Sequence, residues 1–176
     1  MNDEEDGTRN RTLGVGLEPG SSKEWCSNWG NGIIVNKKIK SIWCYPIGNN
    51  YKDYDFNDES YKEGNPNRNG KNNFSKVAEY LVSNDEEDDT GNPNNYSAFW
   101  YCKNYSTKAT KSTKYDKNGW YLPTFAELIY VCREYNDKIH YATQVLDSYS
   151  YVGQDFWTSS VSYEKENEAW HISFTA

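Results

Sequence analysis

The feature of this sequence that most limits its fold is a change of hydrophobic period along the chain. In the middle, apolar residues recur every three or four positions, which places them on one face of a helix. Near the end they alternate with polar residues: Trp170, Ile172 and Phe174 alternate with His171 and Ser173, as in a strand with one buried face. Helices followed by strands predict an α+β domain with a mainly antiparallel sheet.

Helical spacing occurs in several stretches. It predicts helices at 74–81, from Tyr96 to Tyr105, from Thr124 to Tyr135 and from Ala142 to Tyr149. The third has the clearest start, because Thr124 and Glu127 form an S/T-x-x-E capping box. The region from Gly48 to Asn73, rich in Asn, Asp and Gly, is predicted to be a long irregular segment.

Strands are expected at 13–17, 32–35, 39–45, 156–161 and 169–174. Alternation of apolar with small or polar residues supports the first and the last of these. The loop between the last two is too charged to be buried. We expect Trp120, Trp157 and Trp170 to anchor the core, because aromatic residues make up 16% of the chain and bury large apolar areas.

Length and charge limit the class of protein. The 176 residues suit one domain, and we assign residues 11–176 to it and residues 1–10 to a flexible acidic N-terminus. A net charge of -7 disfavours nucleic-acid binding, which needs clustered cations. No apolar run is long enough to insert into a membrane, and the first residues do not resemble a signal peptide. A signal or anchor is therefore not expected within this segment.

The four cysteines, Cys26, Cys44, Cys102 and Cys132, allow two disulfides in three pairings, or four small core thiols. They show no spacing typical of zinc ligands. The acidic run from Asp85 to Asp89 is interpreted as a solvated loop, with calcium binding as the alternative, although it lacks EF-hand spacing. The sequence predicts no metal site and no cofactor.

Three segments occur in an informative order: Ala98 with Cys102, then KNGWYLPTFAEL from Lys117 to Leu128, then FWTSS followed by EAWHISF. This order resembles bacterial C-type-lectin-like domains with the pattern GW-LP-EL … WSS … AW. Such domains include variable proteins of diversity-generating retroelements and spirochaete surface proteins. The resemblance implies a C-type-lectin-like fold, with two main helices on a small twisted sheet and long irregular loops. It also implies an extracellular or cell-surface location.

By this resemblance, a ligand-binding face lies on the final strands and their loop. The expected residues are Ser162, Tyr163, Glu164, Glu166, Asn167, His171 and Ser173. Tyr, Ser, Asn and His suit the binding of a protein or glycan partner, and these types are also reached by retroelement diversification of Asn codons, whereas Glu is not. The calcium-dependent sugar motifs Glu-Pro-Asn, Gln-Pro-Asp and Trp-Asn-Asp are absent. An ordinary solvated hairpin is the alternative.

The sequence does not favour an enzyme. Formylglycine-generating enzymes share the broad fold, but they depend on a thiolate pair near the C-terminus, and no cysteine follows Cys132. A hydrolase needs a nucleophile with an oriented base, yet the two histidines, His140 and His171, accompany no GxSxG motif. We therefore predict a binding domain. A formylglycine-generating-enzyme-like domain and a purely structural accessory domain of a larger surface protein are the alternatives.

Overall fold

A computed structural model describes residues 23–26, 39, 43–44, 70–83, 96–105, 120–145, 151–162 and 168–174. The helices in these ranges are α1 (Gly70–Ser83), α2 (Ser97–Lys103) and α3 (Phe125–Val145), and the strands are β1 (Trp43–Cys44), β2 (Asp155–Ser162) and β3 (Ala169–Ser173). The predicted mixed α+β class is confirmed. Residues 1–10, the strands predicted at 13–17 and 32–35, and the acidic run at 85–89 lie outside the described residues.

The strands form one sheet in the order β1-β2-β3. β2 and β3 are antiparallel, as predicted, with Phe156 opposite Ile172. β1 runs parallel to β2, with Trp43 opposite Val161, so the small sheet is mixed. The pairing of β2 with β3 is irregular between Trp157 and Val161, where a bulge adds residues to β2.

The capping box predicted at the start of α3 is present. Glu127 N–H donates to Thr124 Oγ1 at 3.1 Å, and Thr124 N–H donates to the Glu127 carboxylate at 2.8 Å. The end of the helix differs from the prediction, because α3 continues without a break to Val145. Ile139 and Thr143 of α3 are buried, so the buried face of this helix extends beyond Tyr135. The helices predicted separately on either side of that position are one helix as far as Val145.

α1 also begins earlier than predicted, at Gly70 instead of Phe74. Gly70 N–H donates to the Glu127 carboxylate at 3.0 Å, which provides a partner for one of the first amides of α1. A Cβ at Gly70 would lie 2.6 Å from the Leu122 carbonyl oxygen, so only glycine fits at this contact. The start of α1 therefore depends on a residue 57 positions away in sequence.

Two hydrophobic clusters lie on opposite faces of the β2–β3 hairpin. The α3 cluster consists of Phe125, Ala126, Leu128, Ile129, Cys132, Ile139, Tyr151, Ile172 and Phe174. The α1–α2 cluster consists of Trp25, Ile39, Val77, Tyr96, Ala98, Phe99, Leu122 and Val161. Trp170 packs against the first and Trp157 against the second. Both tryptophans, like Trp120, are half-buried, whereas we expected them in the core.

The bulged part of β2 joins the two sides of the fold through buried hydrogen bonds. Ser159 N–H donates to the Pro123 carbonyl at 2.7 Å, and Asn73 Nδ2 donates to Ser159 Oγ at 3.1 Å. Phe125 N–H donates to Ser160 Oγ at 3.0 Å. Ser159 and Ser160 therefore hold α1 and the start of α3 against the sheet.

Three cysteines have described side chains, Cys26, Cys102 and Cys132, and all three are thiols. Burial raises the pKa of Cys102 and of Cys132 from 9.0 to about 12, because a thiolate loses hydration inside the protein. These two thiols therefore behave as small core residues. Within the described ranges, no helix is both long and apolar enough to cross a membrane.

Candidate functional site

The candidate site is an exposed strip on the β2–β3 hairpin. His171 and Ser173 are exposed on β3, while Ile172 between them is buried. The strand register places Trp157 opposite His171 and Asp155 opposite Ser173. Because side chains directly opposite each other lie on the same face of a sheet, these four residues form one surface, which we call the hairpin strip.

Each of the two cross-strand pairs in the hairpin strip makes a direct contact. The rings of Trp157 and His171 meet edge to face, with centroids 5.6 Å apart and an interplanar angle of 79°. Ser173 Oγ donates a hydrogen bond to the Asp155 carboxylate. These contacts favour particular rotamers of His171 and Ser173, although both side chains are exposed.

The segment 23–26 borders the hairpin strip on the α1–α2 side. Trp157 Nε1–H donates to the Lys23 carbonyl at 2.7 Å. The next residue, Glu24, is tied to α2, because its carbonyl accepts from Ala98 N–H at 3.0 Å and its N–H donates to Ser97 Oγ at 2.7 Å. Trp157 is therefore held by a backbone segment that is itself anchored to a helix.

Lys23 also contacts the first of a row of aromatic rings. Lys23 Nζ lies 5.8 Å from the centre of the Tyr101 ring, within the range of a cation–π contact. Tyr101 meets Tyr105 at 5.7 Å between centroids, and Tyr105 meets Trp120 at 4.8 Å. All three rings are half-buried. Lys23 therefore links this row of rings to Trp157 of the hairpin strip.

The structure separates the residues that the sequence proposed together. His171 and Ser173 lie on the hairpin strip. Ser162 is 7% exposed, and its N–H donates to the Glu168 carbonyl at 2.9 Å, so its side chain is not part of the exposed surface. Tyr163, Glu164, Glu166 and Asn167 lie outside the described residues. Glu168 is the first described residue after this segment. Since a strand rises about 3.3 Å per residue, His171 lies roughly 10 Å along the strand from Glu168.

Sequence reasoning missed Asp155, Trp157 and Lys23. Asp155 and Trp157 lie on the same face as Ser173 and His171 because of the strand register in the hairpin. This register could not be predicted from the sequence, because β2 contains a bulge. Asp155 and Trp157 do alternate with Phe156 in the sequence, which was a usable sign of a two-faced strand. The sequence around Lys23 gives no indication of its role, because Lys23 contacts Trp157, which lies 134 positions later in the chain.

The hairpin strip contains a serine, a histidine and an aspartate, but their hydrogen bonds do not form a nucleophile–base–carboxylate relay. Ser173 donates directly to Asp155, and the His171 ring contacts Trp157, whereas a triad places histidine between the other two. Among the described residues, no three His, Cys, Asp or Glu side chains are grouped as metal ligands would be.

Comparisons with protein-family models, with curated proteins and with solved structures find no match to this chain.

Proposed function

We propose that the chain is a ligand-binding domain of a surface or secreted protein, with a C-type-lectin-like fold, that recognises a protein or glycan. The observation that carries the proposal is the hairpin strip. It presents His171, Ser173 and Asp155 to solvent beside the half-buried Trp157. Aromatic and small polar groups held in fixed rotamers bind partners at low entropic cost.

The surroundings of the strip support a binding role. Its aromatic member, Trp157, packs against the α1–α2 cluster and is hydrogen-bonded to the Lys23 carbonyl. A contact residue supported in this way loses little freedom on binding and can act as a hot spot. The loop at 163–167 connects the same two strands, and we propose that Tyr163, Glu164, Glu166 and Asn167 extend the contact surface from it. Ser162 serves the fold instead.

The test begins with a screen of the purified protein against protein and glycan arrays. For any ligand found, we predict that Tyr163→Ala combined with His171→Ala weakens binding at least about tenfold, because truncated hot spots cost roughly 2 kcal/mol or more. The melting temperature should change little, since His171 is exposed.

Tyr141→Ala is the matched control. Tyr141 is 68% exposed on α3, which packs against the opposite face of the hairpin, so its removal should leave the affinity unchanged. Equal affinity of the Tyr163/His171 double variant and the wild-type protein would reject the proposed face.

A further inference from the structure

Two tryptophans exchange hydrogen bonds between the segment 23–26 and β2. Trp157 Nε1–H donates to the Lys23 carbonyl at 2.7 Å, and Trp25 Nε1–H donates to the Thr158 carbonyl at 2.9 Å. Trp25 lies two positions after Lys23, and Thr158 directly follows Trp157. Each segment therefore gives the other one indole donor and one carbonyl acceptor. We call these two hydrogen bonds the reciprocal tryptophan pair.

The reciprocal tryptophan pair lies at the irregular part of β2. The pairing of β2 with β3 is irregular between Trp157 and Val161, and the buried residue Thr158 lies within this part. A bulge leaves its extra residue without a regular ladder partner, and a buried carbonyl without a donor is destabilising. The indole of Trp25 provides such a donor. The segment 23–26 therefore supports β2 at the position where the ladder is disturbed.

Trp25 is itself held firmly in place. It is 6% exposed, and its ring meets Phe99 and Tyr96 edge to face, at 5.2 and 6.0 Å between centroids. The residue between the two partners of the pair, Glu24, is bonded to the start of α2 through both its N–H and its carbonyl. The segment 23–26 therefore cannot move along β2 without also losing its contacts with α2.

Trp157 connects this buried arrangement to the hairpin strip. Its ring is half-buried and meets the ring of His171 at 5.6 Å between centroids. A hydrogen bond from Nε1 selects one of the several rotamers open to a tryptophan side chain. The orientation of the ring that contacts His171 therefore follows from the position of the Lys23 carbonyl.

We propose that Trp25 is a positioning residue of the hairpin strip. Through the reciprocal tryptophan pair it fixes the segment that carries Lys23, the Lys23 carbonyl orients Trp157, and Trp157 orients His171. Trp25 is too buried to contact a ligand itself. Its role in ligand binding rests on the proposed function, whereas the coupling between segment 23–26 and the strip does not.

This coupling would make the segment 23–26 a regulator of the hairpin strip. A ligand that orders Trp157 would also favour the position that segment 23–26 has in this structure. Conversely, an event that detaches this segment from α2 would weaken ligand binding by the same factor, because the coupling between two sites is reciprocal.

The test is the variant Trp25→Phe of the full chain, studied by nuclear magnetic resonance. Phenylalanine keeps an aromatic ring beside Phe99 but removes the Nε1–H donor. We expect the indole N–H resonance of Trp157 and the ring-proton resonances of His171 to move towards their positions in the unfolded protein, because the two rings lose their fixed orientation. For a ligand found in the screen, the affinity should fall about fivefold, as for the loss of one hydrogen bond.

Val77→Ala is the matched control. Val77 is fully buried in the α1–α2 cluster that also contains Trp25, so this variant leaves a cavity in the same cluster but removes no hydrogen-bond donor. A resonance position reports ring orientation in the folded protein, and a loss of stability alone does not change it. The resonances of Trp157 and His171, and the ligand affinity, should therefore equal those of the wild-type protein.

Unmoved resonances of Trp157 and His171 in Trp25→Phe would overturn the proposal, as would equal movements in Val77→Ala. If Trp25→Phe does not fold, Trp157→Phe tests the pair from the other side. The indole N–H resonance of Trp25 should then move, and an unmoved resonance would reject the coupling.

The outcomes separate the positioning role of Trp25 from the proposed function. Moved resonances with no ligand in the screen would keep the coupling and reject its role in ligand binding. A ligand that binds the wild-type protein and Trp25→Phe with equal affinity would keep the binding domain and reject Trp25 as a positioning residue.

Discussion

At the scale of single residues, Glu127 connects the starts of two helices. Its side chain is 3% exposed and accepts hydrogen bonds from Gly70 N–H, Thr124 N–H and, at 3.3 Å, the Tyr121 hydroxyl. It thereby caps two helices at once, the local one by the capping box and the distant one through Gly70. A carboxylate is needed because it offers several acceptor sites without a donor that would need its own partner.

We predict that Glu127→Ala lowers the free energy of unfolding by about 3 kcal/mol, because it leaves buried N–H groups of Gly70 and Thr124 without acceptors. Glu127→Gln keeps one acceptor oxygen and should cost about 1 kcal/mol. Urea unfolding measures both. The control is Glu134→Ala on the same helix, where the side chain is 48% exposed and the change should stay within about 0.5 kcal/mol. Similar losses for Glu127→Ala and Glu134→Ala would contradict the double-cap role.

At the scale of elements, α3 is the part of the fold that departs most from expectation. Its 21 residues run from the capping box to Val145, across a polar stretch after Tyr135 that the sequence suggested as a boundary. Ile139 and Thr143 are buried, and their burial against the rest of the fold outweighs the weak helix propensity of Asn136 and Asp137. Tertiary packing therefore overrides the local preference.

Tyr141→Pro tests this continuity. Proline in a helix interior removes one backbone hydrogen bond and clashes with the preceding turn, so we expect a loss of about 3 kcal/mol in the free energy of unfolding. Tyr141→Ala is the control, and because Tyr141 is 68% exposed it should change stability by less than about 0.5 kcal/mol. Thermal and urea melts give both values. If α3 were broken near residue 141, proline would be tolerated as well as alanine.

At the scale of the whole molecule, the two hydrophobic clusters pack against opposite faces of the β2–β3 hairpin. Ile172 belongs to the α3 cluster and Val161 to the α1–α2 cluster, and the hydrogen bonds of Ser159 and Ser160 tie both sides to the same strand. Neither cluster can lose its packing without exposing a face of the hairpin. This argues that the described residues unfold as one unit.

We therefore predict a single cooperative transition, with coincident midpoints by far-ultraviolet circular dichroism and by tryptophan fluorescence. Ile129→Val in the α3 cluster should lower both midpoints together, at a cost of about 1 kcal/mol. Val77→Ala in the α1–α2 cluster should do the same, at a cost of about 2 kcal/mol. Two separate transitions, each moved by one variant alone, would show that the clusters are independent folding units.

The sequence by itself determined the local elements. The residue types of Phe156 to Val161 predicted β2, and alternation predicted β3. Helical spacing predicted α1 and α2, and the pair Thr124 and Glu127 predicted the start of α3, because these signals depend on neighbouring residues. It also indicated correctly that His171 and Ser173 face solvent together, since residues two apart in a strand share a face.

Only the tertiary structure decided how those elements meet. The register of the hairpin brought Asp155 and Trp157 beside Ser173 and His171, and no local pattern specifies how many residues a bulge adds. Gly70 and Lys23 reach their partners across 57 and 134 positions, and the length of α3 depended on burial. Contacts between residues so far apart in the chain form only when packing brings their elements together. They therefore cannot be predicted from the residues that neighbour each of them in the sequence.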